Sequence, residues 1–183
     1  MAHNESKPSG GFFSVRMIAE NSIIAALYVA LTLLVPVLSF GPIQCRFSEA
    51  LVLLCFWRPD ITIGLTIGCL ISNGIGAALG VNFAIDILFG TLATLLSCLL
   101  ISFFSKRLFI AWIWPVLFNA FIVGTELYLL EVMSELALWQ NWLYVGIGET
   151  IALAAGYVLW VVLAHLKIFN KVFEPTRHQD VKW

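Results

Sequence analysis

Four carboxylates, Glu49, Asp86, Glu126 and Glu149, stand inside otherwise apolar stretches of the chain. Two amides, Asn73 and Asn119, share that setting, and so does one base, Arg46, three residues before Glu49. A carboxylate facing lipid at mid-helix costs roughly 2.5–3.5 kcal/mol, so a set of them is retained only around a shared interior, hydrated or ligand-filled. One arginine cannot neutralise four acids. The excess calls for protonation or for a donor-rich, cationic ligand. Arg46 and Glu49 either pair with each other at i,i+3, with Glu49 favoured by a helix N-terminus, or Arg46 orients a carboxylate while Glu49 meets the ligand. Asp86 has the same two readings, as partner of a neighbouring helix or as part of the site.

The elements that must position these groups are membrane helices. Hydrophobic residues make up 61% of the chain and charged residues 11%, the balance of a polytopic membrane protein. Net charge is −1, which gives no footing for nucleic acid. The pattern predicts an all-α, six-helix membrane bundle. Residues 1–20 form a polar N-terminal tail, expected to be disordered over Met1 to Gly11, 21–167 the membrane domain and 168–183 a C-terminal tail. The spans are Asn21 to Phe40, Arg46 to Arg58, Ile61 to Gly80, Phe83 to Phe104, Leu108 to Leu130 and Asn141 to Leu166, with an amphipathic loop from Glu131 to Gln140. The first is read as a retained helix and not a cleaved signal. The second is short: as an α-helix its 13 residues reach roughly 20 Å across a core of about 30 Å. Its charged head therefore lies below the membrane surface, inside the protein.

With the N-terminus inside, nine of the ten basic residues are cytoplasmic and only Arg46 is not, so both termini are assigned to the cytoplasm. Trp57, Trp112 and Trp114 then mark the inner interface, and Trp139 and Trp142 the outer one. This orientation brings the four carboxylates to similar depth in the outer leaflet. Asn119 and Glu126, seven apart, are expected on one face, as are Trp142, Glu149 and Gly156. Asn82, Asp86, Gly90 and Thr94 run at steps of four as a polar and small stripe. Ala26 and Ala30 form a small-residue face on the first span, fit for close helix contact. The glycines Gly64, Gly68, Gly76 and Gly80 are expected to pack within the bundle. The four cysteines lack CxxC spacing and read as packing residues. There is no phosphate-binding GxxxxGK[ST], no HExxH and no GxSxG, and none of the three histidines joins the acidic group. No catalytic set or metal site is expected.

The blocks IQCRFSEAL (Ile43 to Leu51), GLTIGCLISN (Gly64 to Asn73), DILFGTLATLLS (Asp86 to Ser97), PVLFNAFIVGTEL (Pro115 to Leu127) and VGIGE (Val145 to Glu149) together resemble the queuosine-precursor transporter family, QueT. These are substrate-binding S components of energy-coupling factor (ECF) importers. The resemblance covers almost the whole membrane region, in order. It implies capture of a 7-deazaguanine from outside a bacterial cell membrane: queuine, or its aminomethyl or cyano precursor. Partners would be a shared transmembrane subunit, meeting Ala26 and Ala30, and two cytoplasmic ATPases that use the ATP. No cofactor is implied in this chain. A carboxylate would accept the paired N–H groups of the guanine-type edge, and a second would hold the amine. Glu126 and Glu149 are the first choices, then Asp86 and Glu49. Asn73, Asn119 or Arg46 would donate to the ring carbonyl, with Trp142 and Phe83 as walls of the aromatic slot. The competing readings are an S component for another vitamin-like ligand, a stand-alone proton-coupled transporter, and an intramembrane enzyme.

Overall fold

The computed structural model describes residues 14–41, 44–132, 135–166, 169 and 173–177. The regular elements of the described residues are all helical. The first, α1 (Val15–Leu34), starts six residues earlier than expected because Ser14 caps it, its hydroxyl accepting from the Met17 amide at 3.1 Å. Pro36 breaks the run at Val35 and opens the short α2 (Pro36–Phe40). Then come α3 (Thr62–Ala78), α4 (Asp86–Phe104), the interrupted run α5 (Leu108–Ala111), α6 (Ile113–Phe118) and α7 (Gly124–Leu129), and finally α8 (Leu138–Ala164). Five stretches are long and apolar enough to cross a membrane: Val15–Leu34, Pro59–Ala78, Asp86–Phe104, Leu108–Leu129 and Leu138–Ala164.

The expected second span is not an α-helix. Phe47–Phe56 is a 3-10 helix of ten residues, where such runs rarely exceed three or four. A rise of about 2.0 Å per residue carries ten residues roughly 20 Å, a third farther than α geometry would. This helix is the axis of the bundle. Every residue from Leu51 to Trp57 is at most 4% exposed, enclosed by α1, α3, α4 and α8. Neighbours serve its carbonyls: Trp160 Nε1 donates to the Ala50 oxygen at 2.6 Å, and Thr176 Oγ1 to the Trp57 oxygen at 3.1 Å. Those donors support a backbone whose own hydrogen bonds have poorer geometry than α-helical ones.

Glycines set the closest approaches. A methyl group on Gly68 would lie 2.9 Å from the Ala25 carbonyl, so only glycine lets α3 pack so tightly on α1. Gly80 ends the turn after α3 at φ +71°, which favours glycine. The extended stretch before the central helix is laid against Gly148 of α8, where a Cβ would overlap the Gln44 carbonyl. Gly148→Ala is therefore expected to destabilise the protein by about 1–3 kcal/mol. Gly146→Ala, whose Cβ would meet only the Ala120 methyl at 3.6 Å, serves as a near-neutral control. Unfolding midpoints in detergent compare the two.

The far end of the chain is tied down where it is described, whereas the stretch expected to be disordered, Met1 to Gly11, lies outside the described residues. The amides of Thr176 and Arg177 donate to the Trp57 carbonyl at 3.1 and 3.0 Å, and Arg177 also donates to the Ser102 carbonyl. Arg58 ties this strap down, donating to the Phe173 carbonyl at 2.9 Å and to Asp60 and Glu20 at 2.5 Å each. Hydrogen bonding to Asp60 holds the Arg58 guanidinium more firmly protonated than an ordinary arginine. Lys167, Lys171 and Lys182, used above for orientation, lie outside the described residues, as does Lys7.

Candidate functional site

The head of the central helix carries Arg46 and Glu49 into the interior. Arg46, 2% exposed, donates from Nε to the Ser39 carbonyl at 2.9 Å and from Nη2 to Asp86 Oδ2 at 2.9 Å. Its guanidinium also lies 5.1 Å from the Phe40 ring centroid. The i,i+3 pair with Glu49 is thus not formed. In a 3-10 helix residues three apart do eclipse, but Arg46 is the cap outside it, in extended backbone, and its side chain reaches α4 instead.

Asp86 opens α4 and is held from the turn before it and from α3. Asn82 Nδ2 donates to Oδ2 at 2.9 Å, and Asn73 Nδ2, from α3, donates to the Asp86 carbonyl at 3.0 Å. Gly90, one turn on, makes room: a methyl there would meet Asp86 Oδ1 at 2.6 Å, Asn73 Nδ2 at 2.8 Å and Arg46 Nη1 at 3.4 Å. Thr94, a turn further, donates to Glu49 Oε1 at 3.2 Å, and Tyr28 of α1 donates to the same oxygen. The stripe at steps of four therefore forms one wall of the cluster. Tyr28 was not singled out in the sequence. The available signal is that it is the one ionisable group at the middle of the first span, two residues from each of Ala26 and Ala30 and so on the opposite face of the helix.

Glu126 and Glu149 complete the group from α7 and α8. Glu126 is within electrostatic reach of Asp86 and Arg46, and Glu149 of Glu49, Arg46 and Cys45. They are 5% and 2% exposed. Among the described residues, Arg46 Nη1, Glu49 Oε2, Asn73 Oδ1, Asp86 Oδ1, Glu126 Oε2 and Glu149 Oε1 are buried without a hydrogen-bond partner. Asn82 Oδ1, Thr91 Oγ1 and Asn141 Oδ1 share that state; buried polar atoms in native proteins are nearly always paired, so the gathering of open acceptors beside one open guanidinium donor makes this cluster the candidate binding site.

Three expected members are not drawn in. Asn119 gives its amide to the Pro115 carbonyl at 3.0 Å, a group within its own helix. It begins a π-helical stretch, Asn119–Val123, and the extra residue in that turn shifts the helix phase, so a spacing of seven no longer means one face. Trp142 turns to α7, donating to Thr125 Oγ1 at 2.9 Å and meeting the Phe121 ring edge-on at 4.9 Å. It lines a separate apolar groove of about 630 Å³ with Phe121, Trp139 and Ile147. Phe83 is 47% exposed in the turn before α4, and its carbonyl accepts from the Asp86 amide at 3.0 Å. Ala26 and Ala30 are exposed and line another apolar groove of about 670 Å³ between α1 and α3, with Ala25, Val29, Gly64 and Ile67. The four cysteines are free thiols, and no group of His, Cys, Asp or Glu among the described residues could hold a metal ion.

The family model described as QueT transporter matches residues 18–165, a range that contains every member of the cluster. The chain is similar to the queuosine precursor transporter QueT of Lactococcus lactis subsp. cremoris (strain MG1363), 31% identical over 147 residues, covering 74% of this chain and 84% of the relative. No solved structure matches. A polar core with open hydrogen-bonding groups, enclosed by several membrane-crossing helices, is what carriage of a polar solute requires, and together with this match it shows that the chain belongs to the QueT transporter family.

Proposed function

We propose that this chain is the substrate-binding S component of an ECF-type importer and captures a 7-deazaguanine queuosine precursor from outside the cell. The observation that supports this most is the set of open oxygens on Glu49, Asp86, Glu126 and Glu149 around one partly engaged arginine. A guanine-type edge presents paired N–H donors to a carboxylate, and an aminomethyl group is a cation for a second. Arg46 Nη1 is the open donor suited to the ring carbonyl, since Asn73 Nδ2 already serves Asp86 and the Asn119 amide serves Pro115. Glu126 and Glu149 read the base and the amine, with Glu49 and Asp86 beside them. The acid excess favours queuine and the aminomethyl form over the neutral cyano form. Because neither Arg46 nor any of the four carboxylates exceeds 5% exposure, the ligand enters only when the bundle opens. The chain itself carries out no chemistry; ATP is used by partner ATPases, and both termini lie in the cytoplasm.

Calorimetry on the purified full chain tests the substrate. Binding of a 7-deazaguanine without nucleotide is expected, and no heat with queuine or with either precursor ends the assignment. The groove beside Ala26 and Ala30 is assigned to the transmembrane partner. Ala26→Leu fills it, and is expected to leave ligand affinity within about twofold while weakening co-purification with the partner at least about tenfold. Loss of ligand binding in that variant would show that the face is misassigned.

A further inference from the structure

Glu49, like Asp86, is held by one oxygen only, but its donors are two neutral hydroxyls where those of Asp86 include the Arg46 guanidinium. Its two oxygens are treated unequally. Oε1 accepts from Tyr28 of α1 and, at 3.2 Å, from Thr94 of α4, while Oε2 is buried with no partner among the described residues. A carboxylate retained only for packing would have donors shared between both oxygens, since each can accept two. Here two helices fix one oxygen, which fixes the plane of the group and the direction of the other. Tyr28 is itself closely packed. It is 0% exposed, and α3 approaches so closely that a methyl on Gly68 would lie 2.8 Å from the Tyr28 Cβ. Its backbone carbonyl is engaged by Thr32 Oγ1 at 2.9 Å, and that hydroxyl also meets Ser48 Oγ at 2.7 Å, on the residue before Glu49.

We infer that Tyr28 is a positioning residue for ligand capture, holding Oε1 of Glu49 so that Oε2 is presented to the substrate. This rests on the reading of the acidic cluster as the substrate site. Tyr28 does not touch the ligand; it acts through Glu49 alone. Removing its hydroxyl lets the carboxylate turn, and the ligand must then order it on binding.

A double-mutant cycle tests the role, with Tyr28→Phe, Glu49→Gln and both together titrated with 7-aminomethyl-7-deazaguanine. Tyr28→Phe is expected to weaken binding about tenfold when Glu49 is present and less than about twofold when it is Gln. Thr94→Val, which removes the other donor to the same oxygen, is expected to show the same dependence on Glu49. Infrared spectra supply a second readout: the carboxyl band lost in Glu49→Gln shifts in Tyr28→Phe, which a packing role for the ring would not produce. Equal factors in both backgrounds, or an unmoved band, overturn the inference while leaving the substrate assignment standing. Failure of the unmutated chain to bind removes the substrate reading, and this role falls with it.

Discussion

Arg46→Gln is expected to lower stability by about 3–5 kcal/mol, the range for removing one partner of a buried ion pair. Asp86 loses the donor at 2.9 Å, the Ser39 carbonyl loses the Nε donor at 2.9 Å, and the cluster loses its one positive charge. In water the loss would be screened. Here both partners are at most 5% exposed by side chain, and the field of the remaining acids goes uncompensated. Reversible unfolding in mixed detergent micelles measures the loss. Adding Asp86→Asn to Arg46→Gln is expected to recover part of it, because the double variant buries no orphaned charge there. Stability unchanged in Arg46→Gln would mean that the pair is not formed in the membrane.

Glu126→Gln combined with Glu149→Gln is expected to weaken ligand binding by about a hundredfold or more, near 2.7 kcal/mol, since charge-assisted hydrogen bonds from two separate helices are lost. The same change is expected to leave ligand-free stability equal or higher. Each carboxylate has an oxygen buried without a partner, and an uncharged amide is cheaper to enclose. Opposite movement of affinity and stability separates a binding residue from a structural one. Both quantities come from the same preparations, by titration and by unfolding. A parallel fall of the two would assign these glutamates to packing instead.

Much of this arrangement was legible in the sequence because lipid penalises charge so strongly. Acids at Glu49, Asp86, Glu126 and Glu149 had to face inward, and Arg46, at the head of a short run, had to lie deep. The step-of-four stripe from Asn82 to Thr94 was readable because α4 is regular from Asp86 on. What escaped reading depends on backbone that departs from α geometry. The 3-10 course of Phe47–Phe56 is supported by donors such as Trp160, 110 residues away in sequence, which no local pattern reveals. The π stretch at Asn119–Val123 broke the phase argument for Asn119. Trp142 failed for another reason: equal spacing puts it near the Glu149 face, but Thr125 offers its indole N–H a partner on the outer side. Tyr28 stands out in the sequence only as the ionisable group at the middle of the first span, and its role shows once Glu49 is seen beside it.

A structure of the protein with 7-aminomethyl-7-deazaguanine bound gives the most direct measurement. The exocyclic amine is expected within about 3 Å of a carboxylate oxygen of Glu126 or Glu149, with Arg46 Nη1 on the ring carbonyl. A ligand seated instead in either apolar groove, with Glu126 Oε2 and Glu149 Oε1 still unpartnered, would contradict the assignment of the acidic cluster as the binding site.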